Sequence, residues 1–85
     1  MKTIIKKTKN GKYRVVENVS EVWLLNHVCF IVSIEVQVKR NGFLCFGYET
    51  IKEWCLTEDS DEDDYDFYTN EAIELFDKIT DPYKA

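Results

Sequence analysis

Apolar and polar residues alternate with a period of two through the middle of the chain. Phe30, Val32, Ile34, Val36 and Val38 occupy one side of this alternation, and mostly polar side chains fill the positions between them. Successive side chains of a β-strand point to opposite faces, so this period predicts a long strand with one buried face. These five residues are the predicted core stripe.

Two Asn-Gly pairs, Asn10-Gly11 and Asn41-Gly42, each lie between segments rich in β-forming residues. Both residue types tolerate the positive φ of a two-residue type I′ turn, so each pair predicts a hairpin. The first would join residues 3–9 to residues 12–18, and the second residues 28–40 to residues 43–52. A two-residue loop fixes the second register; the predicted partners are Arg40 and Phe43, Val38 and Cys45, Val36 and Gly47, and Val32 and Ile51.

The other face of the second hairpin mixes polar and apolar residues. Its predicted members are Glu35, Gln37 and Lys39 on one strand and Leu44, Phe46 and Tyr48 on the next. The stripe could lie under the C-terminal helix, under another strand or against a partner. Burial inside the domain is the favoured interpretation.

Two short segments are less regular. Residues 20–26 fit either a short helix capped by Ser20 or a further strand, and both alternatives stay open. Residues 50–53 have the spacing of a capping box, which predicts a short helical turn.

A C-terminal helix is predicted after the acidic segment. Thr69 or Asn70 is a suitable N-cap, Glu71 would lie in the first turn, and Asp81-Pro82 would end the helix. The apolar positions have helical spacing: Ala72, Leu75, Phe76 and Ile79. The predicted fold is α+β, a small antiparallel sheet of four or five strands built from the two Asn-Gly hairpins, with this helix packed on it. Residues 1–85 are predicted to form one domain. Residues 57–66 are predicted to be an acidic loop that can move relative to the sheet.

Size and composition narrow the class of protein. A chain of 85 residues, 45% of them hydrophobic, makes one domain with a thin core, so no cofactor is predicted. The longest apolar run, residues 28–32, is far below the roughly 18–20 residues that span a bilayer, and early lysines interrupt any signal-peptide core. Cys29, Cys45 and Cys55 lack metal-ligand spacing, which favours reduced thiols. A cytoplasmic protein is predicted.

Charge divides the chain into two halves. Residues 1–52 contain nine Lys or Arg against four Asp or Glu, whereas residues 53–85 contain two against twelve. Seven of the nine residues at positions 58–66 are acidic. The formal net charge of −5 favours encounter with basic surfaces over nucleic acid or anionic lipid.

Catalytic and metal-binding signatures are weak. Asp59, Asp61 and Asp63 imitate the opening of an EF-hand loop, but Asp64 replaces its glycine and Asn70 its bidentate glutamate. His27 and Cys29 supply only two of the four ligands that a zinc site needs. With a single histidine and no Gly-rich phosphate loop, the sequence predicts neither an enzyme nor a metal site.

The basic N-terminal hairpin has two interpretations. Its six cations fall within thirteen residues that contain no acid: Lys2, Lys6, Lys7, Lys9, Lys12 and Arg14. These cations could bind the phosphates of a nucleic acid. The favoured interpretation is structural, because lysines on an edge strand block sheet association and can pair with the acidic half of the same chain.

The acidic segment also has two interpretations. Such runs are usually solvated linkers, and a small interaction or adaptor subunit with an acidic linker is one alternative. The favoured hypothesis is a negative surface that competes with nucleic acid for a basic groove of a nucleic-acid-handling protein, because its charge density approaches that of duplex DNA, about one charge per 1.7 Å. The chain itself would be a monomer or a weak homodimer. The predicted partner-binding residues are Glu58, Asp59, Asp61, Glu62, Asp63, Asp64, Tyr65, Asp66, Phe67 and Tyr68.

In size, paired hairpins, acidic segment and terminal helix, the chain resembles small phage-encoded inhibitors, including anti-CRISPR and anti-restriction proteins. The resemblance implies an inhibitor that mimics nucleic acid, as some of those proteins do. It is one of general character and carries no motif from which residue roles could be transferred.

Overall fold

The computed structural model describes residues 1–40, 47–57 and 59–81. Its elements, in chain order, are β1 (Lys2–Lys7), β2 (Tyr13–Leu24), β3 (His27–Lys39), β4 (Tyr48–Leu56) and α1 (Glu62–Thr80). The described strands form one antiparallel sheet in the order β1-β2-β3-β4. Helix α1 packs against one face of it. The predicted α+β fold, with an antiparallel sheet and a packed C-terminal helix, is confirmed.

The core lies between the centre of the sheet and the helix. Val15 of β2 and Ile34 and Val36 of β3 are buried against Ala72 and Phe76 of α1. The predicted core stripe is therefore confirmed in its middle. Its far end is different, because Phe30 is 63% exposed.

The first hairpin is present, but its turn is not the predicted two-residue type I′ turn. The amide of Gly11 donates to the carbonyl of Thr8 at 3.0 Å, and Gly11 has φ +71° whereas Asn10 is not in the positive region. The side-chain oxygen of Asn10 accepts hydrogen bonds from the Lys12 amide and the Thr8 hydroxyl. These bonds favour a loop longer than two residues, which the Asn10 side chain stabilises.

Residues 20–26 belong to a hairpin, and the helical alternative is wrong. Strand β2 continues to Leu24, which pairs with His27. The two residues between them, Leu25 and Asn26, have φ of 46° and 70°. A two-residue turn with both φ positive has the type I′ form, whose twist matches that of the flanking strands.

The predicted register between β3 and β4 is wrong. Val38 pairs with Glu49 and not with the predicted Cys45. Likewise Val36 pairs with Lys52 and not with Gly47, and Val32 pairs with Leu56 and not with Ile51. In this register Ile34 pairs with Trp54. The Asn41-Gly42 turn and the partners Phe43 and Cys45 lie outside the described residues. The observed register places Trp54 beside the core stripe, where the predicted one would have placed Glu49. The predicted helical turn at residues 50–53 is also wrong, because these residues belong to β4.

Helix α1 begins earlier than predicted. Its N-cap is Asp61, which accepts from the Asp64 amide while the Asp64 carboxylate accepts from the Asp61 amide. This capping box replaces the predicted cap at Thr69 or Asn70, and it places residues 62–66, half of the predicted acidic loop, in the helix. The predicted end is confirmed: the helix closes at Thr80, followed by Asp81 as C-cap, and Pro82 lies outside the described residues.

Within the described ranges, no helix has the length and apolar character needed to cross a membrane.

Candidate functional site

The acidic residues predicted to bind a partner lie at the start of α1 and in the turn that precedes it. We name the described carboxylates the acidic surface: Asp59, Asp61, Glu62, Asp63, Asp64 and Asp66. All are exposed except Asp64, which is half-buried. Glu58 lies outside the described residues.

Local hydrogen bonds hold this segment in place. The amide of Ser60 donates to the carbonyl of Thr57 at 3.0 Å, and the Ser60 hydroxyl accepts from the Thr57 amide at 2.9 Å. The capping box of Asp61 and Asp64 follows immediately. The acidic surface is therefore attached to β4 through a bonded turn.

The helix start accommodates this concentration of negative charge. Glu62, Asp63 and Asp64 all lie in the first turn, where unpaired amides give the helix a partial positive charge and a carboxylate contributes about 0.3–1 kcal/mol. Glu62 and Asp66 are four residues apart and repel each other, at a cost of about 0.2–0.5 kcal/mol. The favourable dipole interaction is the larger effect.

The three predicted aromatic anchors have different environments. Tyr65 is half-buried and its hydroxyl donates to the carboxylate of Glu17 on β2. Tyr68 packs against the core cluster. Phe67 is 59% exposed and meets Tyr68 edge-on, with ring centroids 5.9 Å apart. Two of the rings thus fix the helix start to the sheet, and Phe67 remains on the surface.

The bond from Tyr65 has an electrostatic consequence. Donation to Glu17, reinforced by burial and by the negative charge of Glu17, raises the pKa of Tyr65 above its ordinary value of about 10. The hydroxyl is therefore protonated near neutral pH and keeps its bond to the sheet.

The far end of α1 meets the basic hairpin. Lys6 Nζ lies 2.9 Å from Asp77 Oδ1 and 5.4 Å from the ring centroid of Phe76. Both charged side chains are more than two-fifths exposed, so water screens the pair and its net contribution is small. This contact is of the intramolecular kind that the structural interpretation of the basic hairpin predicts.

The face of the sheet opposite α1 contains a buried polar cluster, as the favoured interpretation of this stripe predicts for Glu35 and Gln37, whereas Lys39 is exposed. Glu35 and Gln37 are only 7% and 2% exposed. The Glu35 carboxylate accepts from the Thr50 hydroxyl at 2.7 Å and from Gln37 at 3.3 Å, and Gln37 accepts from Arg14 Nε at 2.7 Å. Because buried polar groups are stable only when bonded, these contacts have a structural role. Of the predicted apolar members of this face, Tyr48 is half-buried, and Leu44 and Phe46 lie outside the described residues.

Cys55 borders this polar cluster. Its thiol donates to the Glu53 carboxylate at 2.7 Å. That bond, with burial and the negative charges of Glu53 and Glu35, raises the pKa of Cys55. The environment disfavours the thiolate, which is the nucleophilic form.

An exposed apolar arm is the feature that the sequence interpretation missed. Residues 20–31, here called the arm, carry a group of exposed apolar side chains: Trp23, Leu24, Leu25, Val28, Phe30 and Ile31. Their sequence signal is a segment in which apolar residues stop alternating with polar ones, so that both faces of the hairpin are apolar.

The described residues include no group of three or more His, Cys, Asp or Glu side chains placed to hold a metal ion. His27 lies at the exposed tip of the arm, next to the Leu25-Asn26 turn.

Comparisons of the chain with protein-family models, with curated proteins and with solved structures find no match.

Proposed function

We propose that this chain is a non-enzymatic binding protein whose acidic surface occupies a basic nucleic-acid-binding surface of another protein. It would act as a small phage-type inhibitor of the anti-CRISPR or anti-restriction kind. The observation that carries the proposal is the placement of five exposed carboxylates at the start of a capped helix that is packed on the sheet.

Charge density supports the proposal. Residues of a helix rise about 1.5 Å each, and four of the six carboxylates of the acidic surface lie in the first five residues of α1. Duplex DNA carries about one charge per 1.7 Å of its axis. A basic groove adapted to phosphates would therefore meet a comparable density of negative charge.

Preorganisation supports it as well. A flexible acidic loop would have to be ordered on binding, at a cost of about 1–2 kcal/mol for each residue backbone that becomes fixed. The capping box and the contacts of Tyr65 and Tyr68 order this segment in the unbound chain. Phe67 adds an exposed ring of the type enriched at the centres of protein interfaces.

The test is inhibition of DNA cleavage by a panel of purified RNA-guided nucleases and restriction endonucleases. The variant Asp59→Asn, Glu62→Gln, Asp63→Asn changes three exposed carboxylates and leaves the capping pair, Asp61 and Asp64, intact. We expect the wild-type chain to inhibit at least one member, less strongly as salt rises from about 50 to 200 mM. The variant should lose most of this inhibition.

A matched control separates local charge from total charge. Glu21→Gln, Glu49→Gln, Glu74→Gln also removes three exposed carboxylates, so both triple variants change the net charge from −5 to −2. The control should inhibit as the wild type does. Absence of inhibition across the panel at low salt, or equal loss in both variants, would contradict the proposal.

A further inference from the structure

The arm extends beyond the four-stranded part of the sheet. On one side β1 stops at the pair Lys2–Asn18, and on the other β4 stops at the pair Leu56–Val32. Strands β2 and β3 continue together for five more residue pairs, from Ser20–Ile31 to Leu24–His27. At about 3.3 Å per residue the arm projects roughly 17 Å.

One edge of the arm has a defined set of outward-facing backbone groups. The Lys39 amide donates to Lys12 of the segment preceding β2, so odd-numbered residues of β3 turn their backbone bonds toward β2. Val28 and Phe30 are even-numbered residues of β3, so their backbone N–H and C=O groups point away from β2. Among the described residues, no strand pairs with the arm on that side.

The charge of this edge differs from that of the other edges. The outer strands of the sheet carry lysines and glutamates, including Lys2 and Lys7 on β1 and Glu49 and Glu53 on β4, which oppose pairing with another sheet. The arm's β2 edge carries Glu21. Residues 28–31 carry no charge. This segment lacks the side chains that keep edge strands apart.

The exposed area is of the size that an interface requires. A fully buried aromatic side chain covers about 150–250 Å². Trp23 and Phe30 are 71% and 63% exposed, so together they present on the order of 250 Å². With its four exposed aliphatic side chains the whole arm presents several hundred square ångströms, against ~800 Å² per partner in a standard interface. Val28, Phe30 and Ile31 of β3 supply the part of this area that lies at the β3 edge.

We propose that the β3 edge of the arm pairs antiparallel with the same edge of a second copy of this chain. A two-fold axis at Cys29 places Val28 opposite Phe30 of the second copy and Phe30 opposite Val28 of the second copy. Both pairs are then of the hydrogen-bonded type, because both residues direct their backbone groups outward. The edge is self-complementary, as an interface between identical chains requires, and uncharged contact residues let two chains of net charge −5 approach.

Sedimentation equilibrium at high micromolar concentration tests the proposal. The wild-type chain should sediment at twice its 10.1 kDa mass. The variant Val28→Lys, Phe30→Lys should sediment at 10.1 kDa, because it places charges on both sides of the two-fold axis. The control Ile51→Lys changes a similarly exposed apolar residue on β4 and should remain dimeric. Circular dichroism verifies that each variant is folded.

Amide hydrogen exchange of the wild-type chain supplies a test that needs no variant. The Val28 and Phe30 amides should exchange more slowly as protein concentration rises, whereas the Glu21 and Trp23 amides on the other edge of the arm should not change. A wild-type chain that stays monomeric, a dimeric lysine variant, or concentration-dependent protection at Glu21 and Trp23 alone would overturn the proposal. The monomeric result would leave the edge available to a strand of a different protein.

Discussion

At the scale of single residues, the chain uses the same side-chain types for different purposes according to their neighbours. Asp61 and Asp64 cap the helix, whereas Glu62 and Asp63 beside them are exposed. Tyr65 fixes the helix to the sheet through Glu17. The sequence identified the acidic residues as a group, but their separate roles depend on which amides and strands lie next to each.

Replacement of Tyr65 by Phe should lower the free energy of unfolding by about 1–2 kcal/mol near pH 7, since it removes a half-buried bond to a carboxylate. The folded state raises the pKa of Tyr65, so this stabilisation is present below the unfolded pKa of about 10 and is lost as pH rises through the folded pKa. The difference between wild type and variant should therefore shrink above pH 10, as measured by urea unfolding across pH.

The matched control for that experiment is Tyr68→Phe, which removes a hydroxyl from the same part of the helix. Because this variant keeps the bond from Tyr65 to Glu17, it should keep the loss of stability above pH 10 that this bond gives the wild type. A constant difference between wild type and Tyr65→Phe up to pH 12 would contradict the role assigned to the Tyr65 hydroxyl.

At the scale of elements, the sequence predicted strands and helix better than it predicted their connections. The alternating stripe around Ile34 depends on a local period, and the structure buries its middle. The turns depend both on the φ preference of each residue and on the contacts that the residue makes in the fold. As a result, Asn10-Gly11 lies in a longer loop, whereas Leu25-Asn26 forms the tight two-residue turn. Turn composition could not reveal this, because leucine rarely adopts a positive φ. The helix start was missed because Tyr65 and Tyr68, which extend the apolar stripe, are interspersed with acids.

The Leu25-Asn26 turn leads to a prediction about stability. Leu25 has φ 46°, in the left-handed region, which costs an L-residue roughly 1–2 kcal/mol. Its side chain is 94% exposed, so burial of that side chain does not offset this cost. The double change Leu25→Asn, Asn26→Gly introduces the pair that type I′ turns favour. It should raise the free energy of unfolding by about 1 kcal/mol. Urea unfolding measures this change, with all chains at the same protein concentration because association would itself change the apparent stability.

The control for the turn is Asn10→Gly in the first hairpin. Asn10 lacks a positive φ and braces its loop through its side chain, so this change should lower stability. A gain at Asn10, or no gain from the Leu25-Asn26 double change, would contradict the assignment of the type I′ turn to the arm.

At the scale of the whole molecule, the division of charge along the sequence is only partly preserved in space. Helix α1 carries the acidic surface at its start, yet its later turns reach the basic hairpin through the Lys6–Asp77 contact. Opposite charges of the two halves therefore meet at the C-terminal end of α1, and negative charge is concentrated at its start. The concentration of negative charge at the start of α1 is the basis on which we propose a basic protein, and not nucleic acid, as the partner.

Electrophoretic mobility shift with duplex DNA and with RNA tests this view and the alternative function of the basic hairpin. We expect no shift at low salt for the wild-type chain, because its net charge is −5. The variant Lys6→Ser, Lys7→Ser, Lys9→Ser, Lys12→Ser should behave in the same way. A shift by the wild type that this variant loses would assign nucleic-acid binding to the basic hairpin.

The order of strands in space follows their order along the chain, which affects how the protein emerges from the ribosome. Each strand can pair with the one made just before it, so the meander can assemble while synthesis continues. Helix α1 is made after the four strands, since Ala72 and Phe76 follow in sequence the sheet residues that they bury: Val15, Ile34 and Val36. The nascent sheet therefore exposes its apolar face until the helix has left the ribosome and packed on it, and we expect the chain to be most prone to aggregate in that interval.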